Sequence, residues 1–128
     1  MVGGSIGRIN KGDDLGHNVQ RIKDLFFHEA TVRNLDQNDQ LLRVSIDDAV
    51  IGGSQKSVDV EFVGISSLVR DGVTVGSIEM ELPDGEILTF LLNDHGGELI
   101  VEWNDFSTRR SLVRSYTICC DKIEIRIL

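Results

Sequence analysis

From residue 28 onward, apolar side chains recur at every second position, and few folds accommodate that pattern. Successive side chains on a strand point to opposite faces, so this period describes strands with one face in a core and one in water. Val58, Val60 and Phe62 alternate with Asp59 and Glu61. Ile78, Met80 and Leu82 alternate with Glu79 and Glu81, and Leu99, Val101 and Trp103 with Ile100 and Glu102. At the end of the chain, Ile123, Ile125 and Ile127 alternate with Lys122, Glu124 and Arg126.

Turn residues punctuate these runs. Asp36-Gln37-Asn38-Asp39 closes a predicted hairpin over 30–46, and Gly52-Gly53-Ser54 breaks the chain before the strand 58–62. Gly64 is expected to mark a bulge, and Arg70-Asp71-Gly72 a turn. Pro83-Asp84-Gly85 is expected to join a strand 77–82 to the run Ile87–Leu92. That run is apolar on both faces, which places it centrally or under a helix. Asn93–Gly97 is another turn, and a polar loop near 104–111 leads to a strand near 112–119.

Ahead of the strands, Val19, Ile22, Leu25 and Phe26 are spaced for one face of a helix over 15–26, with Asp13 or Asp14 at its start. Residues 1–12 are glycine-rich, and Gly4-Ser5-Ile6-Gly7 lacks the strand and the Lys-Ser/Thr of a phosphate loop. Parallel winding would need repeated crossover helices, and only one helix is visible. The expectation is a single mainly β domain over 1–128. Its form is an antiparallel sandwich or open curled barrel of about eight strands with one short N-terminal helix.

With 128 residues the chain is long enough for one sizeable core. No apolar run reaches the ~20 residues of a membrane helix, and the first residues lack the apolar stretch of a secretory signal. No membrane association and a cytoplasmic location are therefore expected. Cys119 and Cys120 are adjacent, which disfavours a disulfide between them and fits a reducing compartment.

The net charge of −8 is concentrated. Residues 51–105 carry Lys56 and Arg70 against eleven Asp and Glu. Such an acidic middle would repel phosphates, so nucleic acid is not an expected partner. A basic protein is. Asp59, Glu61, Glu79, Glu81 and Glu102 would form a carboxylate field on one sheet face if their strands are neighbours.

Catalytic patterns are absent. His17, His28 and His95 lack metal-ligand spacing, neither cysteine belongs to a C-x-x-C motif, and no G-x-S-x-G elbow occurs. No cofactor, metal or catalytic residue is expected. A second reading is a small-ligand-binding or hydrolase-like domain with a pocket near His28, Glu29, Asp94, His95 and Trp103, since functional side chains gather at turns. A third is a structural homodimer through the final strand as an edge.

The string Phe27-His28-Glu29-Ala30, followed by the hairpin 30–46 and the strand 58–62, resembles the opening of some small bacterial β proteins. These include immunity proteins of polymorphic-toxin systems. The resemblance implies a non-enzymatic protein that binds and blocks a toxin enzyme, and a basic toxin would suit the acidic middle.

Overall fold

A computed structural model describes residues 25–128. Ten strands follow one another: β1 (Leu25–Phe26), β2 (Thr31–Asn38), β3 (Leu41–Ile51), β4 (Ser54–Val63), β5 (Ser67–Arg70), β6 (Val73–Thr74), β7 (Asp84–Asn93), β8 (Gly96–Asp105), β9 (Arg110–Cys119) and β10 (Lys122–Ile127). All pairings are antiparallel, and they form one open sheet in the order β10-β4-β3-β2-β7-β8-β9-β5-β6, with β1 beside the end of β3.

The sheet has a narrow waist. β2 pairs with β7 only at Thr31↔Glu86 and Val32↔Gly85. On either side of that waist lie the four strands β10-β4-β3-β2 and the five strands β7-β8-β9-β5-β6. The two parts share one core, which contains Val44, Val60 and Phe62 from the first and Leu99, Trp103 and Ile118 from the second. Phe62 and Phe90, on strands that are not neighbours in the sheet, bring their ring centroids to 6.2 Å. At one corner the chain crosses between the parts twice, from β4 to β5 and from β9 to β10. The Asp121 N–H donates to the Val63 and Gly64 carbonyls there, and the Ser66 N–H to that of Cys119.

Turn chemistry accounts for the hairpins. Gly52 and Gly53 have φ of +59° and +84°, and Asp71 and Gly72 have +52° and +81°. Both pairs form two-residue loops with positive φ at each central position, whose twist matches that of the flanking strands. The β2–β3 turn falls at Asp39-Gln40, so only the last residue of the expected turn 36–39 lies in it, with Asp39 at φ +54°. Gly64 lies just past β4 at φ +74°.

Two expectations are corrected. The segment 77–82 is not a strand. It buries Ile78 and Leu82 as the alternation requires, but its backbone finds side chains instead of a ladder. The Ile78 N–H donates to Gln37 Oε1, and Gln37 Nε2 donates to the Gly76 carbonyl. Alternation specifies which side chains go inward; it does not supply a partner strand. Pro83-Asp84-Gly85 is likewise not a hairpin turn, because β7 begins at Asp84. Gly85 faces Trp103 across the ladder, and a Cβ there would lie 2.7 Å from the indole. Its glycine serves close packing instead of a turn. β7 is central in the order, as the apolar run 87–92 led one to expect, although its outward Leu91 is 62% exposed. The helix expected over 15–26 lies outside the described residues except for Leu25–Phe26, which form β1. Among the described residues there is no helix, and so none long and apolar enough to cross a membrane.

Cys119 and Cys120 are free thiols. Cys119 is exposed; Cys120 is buried, and burial with Asp121 alongside pushes its thiol up to about 11.

Candidate functional site

The expected carboxylate field is divided by the tertiary structure. Asp59 and Glu61 lie on the outer face of β4, between β3 and β10, and both are buried under arginines. Glu61 accepts from Arg43 Nε at 2.8 Å, with Arg126 at 3.8 Å. Asp59 lies 3.5 Å from Arg33 and 4.0 Å from Arg126. Register explains this. Glu61 faces Arg43 on β3, and Asp59 faces Arg126 on β10. Opposite charges directly across a ladder stabilise it.

Glu81 is also engaged, 3.5 Å from Arg70 and 3.6 Å from Arg114. Arg114 in turn donates to Asp71 at 2.8 Å, and the Ser115 N–H donates to the same carboxylate. These two bonds, the backbone one foremost, hold the Asp71 carboxyl below its ordinary range. The network ties the irregular segment 75–83 and the β5–β6 turn to β9. A depressed folded-state value contributes stability above the unfolded pKa of about 3.9 and loses it as pH falls through the folded value. We therefore expect Asp71→Asn to be less stable than wild type at neutral pH, with the difference closing below about pH 4. Urea unfolding at a series of pH values checks this; a difference independent of pH contradicts it.

Glu79 is exposed in the same irregular segment. Glu102 alone of the five lies on a regular sheet face beside other free acids. The outward positions of β7, β8 and β9 form rows in register: Asp84, Asn104 and Ser111; Glu86, Glu102 and Val113; Thr89, Ile100 and Ser115; Leu91, Glu98 and Thr117. No lysine or arginine occupies any of these positions, and among the described residues none of the four carboxylates is in an ion pair. Glu86 and Glu102 face each other directly, an arrangement that costs stability. Leu91 and Val113 (53% exposed) add apolar surface.

Glu86, Glu98, Leu91 and Val113 were not legible as one surface. A bulge between Ile87 and Thr89 shifts the phase of β7. It turns a run that reads as apolar on both faces into inward Ile87 and Phe90 and outward Thr89 and Leu91.

The residues of the pocket reading do not converge. His28 and Glu29 occupy the turn between β1 and β2, where His28 Nδ1 lies 2.9 Å from the Leu88 carbonyl and Glu29 has φ +66°. The Glu29 N–H donates to the Ile87 carbonyl, so the turn docks on the β7 bulge. Phe27-His28-Glu29-Ala30 is thus this turn and not the opening of a strand. Asp94 and His95 form the β7–β8 turn, with His95 Nδ1 3.3 Å from the Asp121 carbonyl. Trp103 lies near the opposite end of β8, completely buried, donating from Nε1 to the Tyr116 hydroxyl at 2.9 Å. Among the described residues no group of three or more His, Cys, Asp or Glu could hold a metal ion.

The chain matches no family model, no curated protein and no solved structure.

Proposed function

We propose that this protein is a non-enzymatic acidic binding module whose outer β7–β9 face receives a basic protein, in the manner of an immunity protein blocking a toxin. One observation carries the reading. Glu86, Glu98 and Glu102 share that face without a counter-charge among the described residues, whereas Asp59, Glu61 and Glu81 are neutralised by arginines. An uncompensated like-charge pair across a ladder is a standing cost to the fold, and a basic partner would relieve it. The exposed Leu91 and Val113 would supply the apolar contact that charge alone lacks. A field of one sign chiefly raises association rate, which suits an inhibitor that must reach its target before harm is done. The toxin-blocking form of the proposal rests on the resemblance carried by Phe27–Ala30 and the strands that follow.

The test is capture from source-cell lysate on immobilised wild type, on Glu98→Lys with Glu102→Lys, and on Glu124→Lys as a surface control. We expect one basic protein to be retained stoichiometrically by wild type and by the control, and to be lost from the double variant. Equal retention by all three removes the face assignment.

A further inference from the structure

The β8–β9 tip, residues 106–110 with Arg110 the first residue of β9, presents the opposite chemistry to the β7–β9 face. Phe106 is 72% exposed, the highest value among the large exposed apolar side chains. Arg109 and Arg110 are exposed beside it, and neither is in an ion pair among the described residues. The tip is also preorganised. Asp105 Oδ1 accepts from the Ser107 N–H at 3.1 Å and from the Ser107 hydroxyl at 2.6 Å. Arg109 is held at φ +58°. A protruding aromatic on a fixed loop loses little conformational freedom on docking.

A tip bearing an aromatic ring and two guanidinium groups complements a face bearing Leu91, Ile100 and Val113 among Glu86, Glu98 and Glu102. Within one molecule the two cannot meet. β8 and β9 pair without a gap from Gly96↔Cys119 to Asp105↔Arg110, so the hairpin holds its tip away from its own outer surface. We propose that the β8–β9 tip of one copy docks on the outer β7–β9 face of a second copy. The contact joins two different surfaces, so it is heterologous, and repetition gives open chains or rings instead of a closed two-fold dimer. Direct face-to-face packing of two copies is disfavoured, because it would set acid against acid. This inference uses the same free acidic face as the proposed function, with the tip in the place of the basic partner, so self-association would mask that face at high concentration.

The test is sedimentation equilibrium from micromolar to millimolar protein at roughly 0.15 M ionic strength, where the Debye length is about 8 Å and the net charge is largely screened. The tip variant carries Phe106→Ser, Arg109→Glu and Arg110→Glu; the face variant carries Glu98→Lys and Glu102→Lys. For wild type we expect the weight-average mass to climb above the 14.2 kDa monomer as concentration rises. Each variant alone should remain monomeric. An equimolar mixture should form a discrete 1:1 complex, since each supplies the surface the other lacks. A wild type that stays monomeric throughout overturns the inference. So does association of either variant alone as strong as wild type, or a mixture that fails to associate when wild type does. The lysate capture separates this from the proposed function: the tip variant should still bind a basic partner there, and a wild type that captures one while staying monomeric overturns only the self-association.

Discussion

Trp103→Ala should lower stability by about 3–5 kcal/mol, the usual cost of truncating a fully buried large aromatic. At roughly 4 °C per kcal/mol for a domain near this size, the melting temperature should fall by about 12–20 °C. Two losses combine. The indole is completely buried and packs over Gly85, where no side chain can expand into the vacated space. Its Nε1–H is also the donor to the Tyr116 hydroxyl, itself buried with its phenol pushed up to about 12 chiefly by that burial. A tyrosine value raised above the ordinary 10 means stability held below about pH 10 and lost as pH rises through the folded value. Trp103→Phe should cost less, since it keeps most of the apolar volume and gives up the hydrogen bond. Urea unfolding followed by far-ultraviolet circular dichroism reads both variants, the only tryptophan being gone. A Trp103→Ala cost below about 1 kcal/mol would mean that the residue is not core, and would return it to the pocket reading.

Adding one methyl group at Gly96 should be about as damaging. The residue opens β8 at φ +153°, and a Cβ there would run into the Ile118 backbone carbonyl on β9. A carbonyl fixed in a ladder cannot move aside as a flexible side chain can. Gly96→Ala must therefore break the β8–β9 register or strain the turn, at an expected cost of about 3 kcal/mol or more. Gly76→Ala is the control: nothing lies within 4 Å of its Cβ position and its φ is not positive. Gly76→Ala should be neutral within about 0.5 kcal/mol. Equal midpoints for the two variants in urea would contradict the packing at the start of β8.

These variants also measure how far the sequence can be read. That Trp103 faces inward follows from its alternation with Glu102. That Gly85 is small because Trp103 lies against it does not, since Pro83-Asp84-Gly85 has the composition of a turn. Local chemistry and a distant packing demand both select glycine, and the residue alone does not distinguish them. The strand 58–62, the turn at Asp71-Gly72 and the strand 123–127 were legible because short-range physics suffices for each. The segment 77–82 has the same alternation and no ladder, because a partner strand is a long-range fact.

The acidic residues make the same point about function. Asp59, Glu61, Glu79, Glu81 and Glu102 all read as outward-facing acids. Which of them keep a free charge depends on what lies opposite. Arg43 is on the neighbouring strand β3, and Arg126 comes from the far end of the chain, yet both reach Glu61. Glu86 faces Glu102 only because the bulge in β7 sets that register. The sequence by itself determined an antiparallel β domain, most of its turns, its inward side chains and its excess of acid, because periodicity and turn propensity act over a few residues. Strand order, the folding of one sheet around a shared core, and the division of the carboxylates into neutralised and free sets were decided only by tertiary structure. Each depends on pairings between residues tens of positions apart, and no local signal encodes them.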